Sequence, residues 1–166
     1  MAKNIAPGLS RTFACESWPA IPQAMWKEAR KNAFAAIHTD DEPQIFASDI
    51  SPAAIDIARA SAEAAGVDDC IHFEAKPLSQ LTLPTEYGVA ISNPPYGERL
   101  GRMEEVQQLY ANMGRVFAGP RWGMYVLTGD EFFEAAFGRR CNAKRKLFNG
   151  NIKTDYYQYH GQRPPR

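Results

Sequence analysis

Apolar and polar positions alternate between two periods along the chain, and the switches between them mark out the expected elements. Residues 44–50 (QIFASDI) are a short apolar run ending in an acid, which reads as a buried strand. Ser51-Pro52 suits a cap followed by a first helical residue, because proline's missing N–H is not needed there. The alanine-rich stretch 53–65 puts Ile55, Ala58, Ala62 and Ala65 on one face, and Gly66 fits the left-handed position just past a helix end. Residues 70–75 and 87–92 read as two further strands, the second running straight into Asn93-Pro94-Pro95-Tyr96.

A helix over about 103–118 follows, with an apolar stripe of Val106, Leu109, Tyr110, Met113 and Phe117. Glu104 and Glu105 suit the dipole in its first turn, and Gly119-Pro120 stops it. Residues 123–128 read as a strand and 131–137 as a short helix. The runs 144–148 and 152–160 form a hairpin expected to turn at Asn149-Gly150 in a type I′ geometry. Upstream, 22–37 reads as a helix with Met25, Trp26, Ala29 and Ala33 facing inward. This alternation predicts an α/β three-layer sandwich with a mostly parallel sheet. No repeat or linker interrupts it, so residues 1–166 are expected to form a single unit.

Composition narrows the class. The 166 residues suffice for one domain with a real core, and 45% hydrophobic with 23% charged residues is ordinary globular usage. No apolar run approaches the roughly 18 residues of a membrane span, and the first residues lack the apolar stretch of a secretory signal. Cys15, Cys70 and Cys141 show no CxxC spacing, which argues against a disulfide framework or a zinc knuckle. Cys15 and Cys70 read as small hydrophobes, Trp18, Trp26 and Trp122 as core aromatics, and His38, His72 and His160 as scattered surface or half-buried residues without metal-ligand spacing, so no metal is expected. A reducing cytoplasm is the expected compartment.

Charge changes the picture more. The 19 basic and 19 acidic residues cancel, yet eight basic residues against one acid, Asp155, lie from Arg139 onward. The preceding residues hold 11 basic and 18 acidic side chains. Such asymmetry points to a polyanion partner, or to a solvated hairpin that is merely basic.

Two places carry chemistry. Asp49, at a strand's carboxyl end, can accept hydrogen bonds from ribose hydroxyls, or cap the following helix together with Ser51. In Asn93-Pro94-Pro95-Tyr96, two prolines after a strand fix a rigid extended loop. The Asn93 amide and the Pro94 carbonyl are two acceptors for one exocyclic amine, and Tyr96 offers a flat face to a flipped-out base. The plain alternative is a proline-rich turn with a buried tyrosine.

Residues 91–100 (ISNPPYGERL) resemble the catalytic motif of S-adenosylmethionine-dependent amino methyltransferases of the N6-adenine and N2-guanine type. The extension GERL is more similar to the ribosomal RNA guanine-N2 methyltransferases, a group often labelled as N6-adenine-specific DNA methylases. Residues 5–19 (IAPGLSRTFACESWP), 46–67 (FASDISPAAIDIARASAEAAGV) and 144–159 (KRKLFNGNIKTDYYQY) agree with it.

The resemblance implies a Rossmann-like methyltransferase fold and S-adenosyl-L-methionine as cofactor. Asp49 would hold its ribose, Ile50 would pack on its adenine, and Asn93 would border it; where the family usually has an acid near the adenine amine this chain has Lys76-Pro77-Leu78, and the Leu78 N–H would serve the adenine edge instead. Asn93, Pro94, Pro95 and Tyr96 would grip the target amine. Arg99, which also has Glu98 as a local partner, and Lys144, Arg145 and Lys146 would contact phosphates of the nucleic acid, expected to be ribosomal RNA.

The sequence departs from that family at its start. No GxG occurs, so the glycine-rich cofactor loop and the strand before it are missing, and the domain is expected to be partial. That strand would be central, and its loss leaves two inner edges unpaired. The remaining strands, an oligomeric partner or an upstream segment would have to fill the gap. Weak or absent cofactor binding by this chain alone is the consequence. An adenine-N6 methyltransferase on DNA or RNA, and an inactive nucleic-acid-binding remnant, stand as alternatives to a guanine-N2 enzyme.

Overall fold

The computed structural model describes residues 3–38, 45–96 and 103–165. They divide into two compact units, Met1–Ala47 with Ala53–Phe73, and Ser48–Pro52 with Glu74–Arg166.

The first unit contains helix α1 (Gln23–Ala35), most of strand β1 (Ile45–Asp49), helix α2 (Pro52–Ala65) and the start of strand β2 (Ile71–Ala75). Strands β1 and β2 pair in a two-stranded sheet. In α2, Ile55 and Ala62 are buried as the periodicity requires, Ala58 is half-buried and Ala65 exposed. Gly66 adopts the left-handed φ of +67° that ends the helix.

The inward face of α1 differs from the expected one. Met25 is 62% exposed and Ala29 is also exposed, whereas Trp26, Arg30, Ala33 and Ile37 are half-buried at helical spacing. Arg30 explains the rotation. Its guanidinium donates to the carbonyls of Leu9 (2.9 Å) and Arg11 (2.7 Å) and pairs with the Glu16 carboxylate at 2.5 Å. A forked donor satisfies loop carbonyls that no aliphatic side chain could, so a charged residue takes the inner position. Trp18, expected in the core, is 59% exposed on that loop.

The second unit holds strand β3 (Gly88–Ser92), helix α3 (Met103–Val116), strand β4 (Trp122–Thr128), helix α4 (Phe133–Phe137) and the hairpin β5 (Ala143–Asn149) and β6 (Ile152–Tyr159). Its four-stranded sheet runs β3-β4-β6-β5. The alternating part gives a parallel β3–β4 ladder, and the hairpin adds two antiparallel ones. Among the described residues β3 pairs only with β4, and β1 only with β2, so both have open edges.

The hairpin loop is Gly150-Asn151, one residue later than expected, because Asn149 still pairs with Ile152. Only Gly150 has a positive φ, +61°, which fits a type II′ turn with glycine first rather than type I′.

One face of this sheet carries the core. Val106, Tyr110, Met113 and Phe117 of the α3 stripe meet Met124 and Val126 of β4, Phe133 and Phe137 of α4, and Tyr157 and Tyr159 of β6. Phe133 packs edge-on to Tyr110 at 4.9 Å, and Phe137 lies 4.5 Å from Tyr159. Truncating any one of these rings costs about 3–5 kcal/mol, so this layer fixes the strands that carry the site. Burial also pushes the Tyr157 hydroxyl up to about 12. The opposite face is sparsely covered: Val89 is 63% and Ile91 80% exposed.

Candidate active site

Asn93-Pro94-Pro95-Tyr96 leaves the carboxyl end of β3, where apolar β-branched residues give way to two prolines that cannot extend a ladder. Pro94 is buried, Asn93 and Pro95 are exposed, and Tyr96 is half-buried. The Asn93 amide and the Pro94 carbonyl have no hydrogen-bond partner among the described residues. Asn93 lines an open cleft with Ile91, Leu127, Arg145, Leu147 and Tyr156 on the sparsely covered face.

Two ties hold the loop. The first is a buried relay: the Asp130 N–H donates to the Thr128 hydroxyl (3.2 Å), which lies 3.2 Å from the Tyr110 hydroxyl, which donates to the Pro95 carbonyl at 3.4 Å. With Tyr110 donating to Pro95, the Thr128 proton must point to Tyr110, so all donors run one way. Burial of Tyr110, with the nearby Asp130 charge adding to it, raises its pKa and keeps that hydroxyl protonated.

The second tie fixes Tyr96. Its hydroxyl accepts from the Asn149 side chain at 3.1 Å. Its ring lies so close to Gly129 that an added Cβ would sit 3.0 Å from Cδ2. The sequence alone does not mark Tyr110, Thr128, Gly129 or Asn149 as site residues. Tyr110 is legible only as core, and Gly129 has no signal beyond following a strand.

Asp49 ends β1, with its Oδ1 accepting from the Ser51 N–H at 2.8 Å and its carbonyl from the Lys76 N–H at 2.8 Å. That bond closes a turn on the approach to α2, since Ser51 precedes the helix, while the Oδ2 has no partner among the described residues. Ile50 is 74% exposed beside it. Leu78 opens a short 3₁₀ turn, Leu78–Gln80, and packs against the core, its N–H unpartnered among the described residues. An anchored acid, an exposed apolar side chain and a free N–H fit the ribose, ring and edge of a nucleoside.

The basic residues do not form one patch. Along β5 the alternation sends Arg145 into the cleft, while Lys144 and Lys146 occupy the other face. Lys144 lies 3.7 Å from the Asp155 carboxylate and over the Tyr157 ring at 5.1 Å. Lys146 has no ion-pair partner among the described residues. Arg99 lies outside the described residues.

Comparison with known proteins bears on this geometry. A family model described as "UPF0020: RMKL-like, methyltransferase domain" matches residues 1–158. The Bacillus subtilis protein named "Putative RNA methyltransferase YpsC" is 45% identical over 168 residues, covering 100% of this chain and 44% of its own length. "Ribosomal RNA large subunit methyltransferase K/L" of Shewanella frigidimarina is 36% identical, covering 96% of this chain and 23% of that protein.

Among solved structures, "Crystal structure of SMU.472, a putative methyltransferase complexed with SAH" aligns with a TM-score of 0.91 at 40% identity, over 98% of this chain and 44% of that one. The structure of a Listeria monocytogenes protein named a "predicted N6-adenine-specific DNA methylase" aligns at 0.87 with 42% identity, over 96% and 41%. The fold is the Rossmann-like methyltransferase fold. The chain spans less than half the length of these relatives.

Proposed function

Because the chain belongs to the UPF0020 family of RMKL-like methyltransferase domains, we propose that residues 1–166 are a partial catalytic domain that methylates an exocyclic amine of a base in ribosomal RNA, guanine N2 by preference. The observation that carries this is the anchored loop Asn93–Tyr96, with two unpartnered acceptors beside a clamped aromatic ring. Such a substrate assigns the protein to the cytoplasm. Among the described residues no helix is long and apolar enough to cross a membrane.

An exocyclic amine is a poor nucleophile because its lone pair is delocalised into the ring. The Asn93 side-chain oxygen and the Pro94 carbonyl accept its two hydrogens and favour a pyramidal nitrogen. Burial of Pro94 and the relay behind Pro95 keep those acceptors in place, which is the entropic part of the rate enhancement. Tyr96 stacks on the extruded base, its tilt set by Asn149 and Gly129. When bound, S-adenosyl-L-methionine supplies an electrophilic methyl group. Asp49, Ile50, Leu78 and Asn93 would hold its nucleoside part, and the sequence has no glycine-rich stretch to cradle its methionine part.

Calorimetric titration with S-adenosylhomocysteine tests this. Micromolar or weaker binding is expected, at least tenfold weaker in Asp49→Ala, since hydrogen bonds to a charged acceptor contribute about 1.5–3 kcal/mol each. Equal affinity of the two forms would remove Asp49 from the site. Labelled-methyl transfer to ribosomal RNA, followed by nucleoside mass analysis, then reads the atom methylated. N6-methyladenosine would favour the second reading, an adenine-N6 enzyme, which the name of the Listeria monocytogenes protein supports.

A further inference from the structure

The strand registers bring the β5–β6 hairpin tip to the ligand-binding end of the sheet. Ser92 pairs with Val126, Thr128 with Asp155, and Asn149 with Ile152, so the tip lies at the carboxyl ends of the parallel strands β3 and β4. Ile152 lies three residue steps from Asp155, which carries the tip about 10 Å beyond Thr128 at 3.3–3.4 Å per residue. Ligands of open α/β sheets bind outside those ends.

The tip has two faces. On one, Asn149 holds the Tyr96 hydroxyl at 3.1 Å. On the other, Phe148 is 74% exposed, with Lys153 directly opposite it across the hairpin and Lys146 two residues before it on the same face. Both lysines are exposed and have no ion-pair partner among the described residues. A large aromatic ring left in water contributes little to folding, and an aromatic flanked by two free cations matches what binds an unpaired strand: a π-face for a base and charges for its phosphates.

Resting on the methyltransferase reading above, we propose that the face formed by Phe148, Lys146 and Lys153 binds an unpaired stretch of the RNA substrate, with Phe148 stacking on a base next to the target rather than on the target itself. Phe148 neighbours the residue that clamps Tyr96, so a strand held on one face of the tip is set in register with the amine-binding loop on the other. Phe148 thereby fixes which nucleotide reaches Asn93.

The test is fluorescence anisotropy of the full chain with a labelled single-stranded 12-nucleotide RNA at several salt concentrations. Phe148→Ala is expected to weaken binding about 5- to 150-fold, the span of one base–aromatic stack, without changing the salt slope because no charge is lost. Lys146→Ala with Lys153→Ala is expected to weaken binding and lower the slope by about 1.4, or 0.7 per phosphate contact on single strands. Phe148→Trp should restore affinity, and its emission should be quenched by RNA beyond the wild-type response. Phe148→Ala binding within twofold of wild type overturns the proposal, as does failure of the wild-type chain to bind the RNA. Titration with S-adenosylhomocysteine judges the methyltransferase reading separately.

Discussion

Removing the Tyr110 hydroxyl tests whether the buried relay supports the candidate amine-binding loop. Tyr110→Phe keeps the ring that packs edge-on to Phe133 at 4.9 Å and deletes only the oxygen. Three consequences set the magnitude. The exposed Pro95 can recover a water partner for its carbonyl, so that end costs little. Thr128 is fully buried and its proton is left without an acceptor, a penalty of about 1–3 kcal/mol. The separations of 3.2 and 3.4 Å exceed the usual 2.5–3.0 Å of O–H···O bonds, which puts the loss at the low end. Relief of the hydroxyl's own desolvation subtracts a little more. The net is about 1 kcal/mol, or a fall of roughly 2–4 °C in Tm for a domain of this size. A double-mutant cycle with Thr128→Val isolates the pair, and a coupling of about 0.5–1 kcal/mol in urea unfolding is expected. Additivity within about 0.3 kcal/mol, or a Tyr110→Phe protein more stable than wild type, would refute the relay.

Three further perturbations have definite outcomes. A Cβ at Gly114 would lie 2.1 Å from the Phe137 carbonyl oxygen, so Gly114→Ala must push α3 and α4 apart; a loss of about 2–3 kcal/mol should appear in the urea midpoint, and an unmoved midpoint defeats the close-packing argument. Gly129→Ala crowds the Tyr96 ring by only a few tenths of an ångström and should cost under about 1 kcal/mol of stability; methyl transfer should drop while S-adenosylhomocysteine affinity stays constant, and a parallel loss of both would place Gly129 in general folding. Glu134 accepts the Cys141 backbone N–H at 2.8 Å, and that bond holds its carboxyl below the usual range. A depressed folded pKa gives stability that is present above the unfolded value and lost as pH falls through the folded one. Glu134→Gln should therefore flatten the acid limb of unfolding midpoints measured from pH 6 to 2, whereas parallel profiles would exclude the bond as a source of acid sensitivity.

How much of this is legible in the sequence differs from element to element. The α3 stripe is readable because four of its five residues are buried and all five are apolar at one period, and Gly66 because a left-handed helix end leaves few alternatives to glycine. The α1 face is misread because its inner position belongs to Arg30, whose role comes from loop carbonyls that sequence periodicity cannot register. The hairpin is found but set one residue early, since Asn-Gly matches the type I′ preference while the ladder continues through Asn149. Within the site, Asn93–Tyr96 stands out through its two prolines. Its supports do not, because Tyr110 sits 15 residues and Asn149 53 residues along the chain from the groups they hold.

The loop and the cleft beside it share Asn93 but rest on different supports. The loop is tied through Tyr110 to the core face and through Asn149 to the hairpin, and both lie within the second unit. The cleft lies on the face opposite the core, shared with Asn93 and with the Asn149 side of β5, where Ile91 is 80% exposed and β3 has an open edge among the described residues. Exposed β-branched residues on an open edge are an association hazard, whereas the loop's anchors gain nothing from covering that edge. Order in the loop Asn93–Tyr96 is thus set by the second unit's own core, while the apolar cleft face is where any bound group gains free energy by removing surface from water. Substitutions behind the loop should act on methyl transfer and stability together. Polar substitutions at Ile91 should leave the loop's ties intact and alter what the cleft can bind.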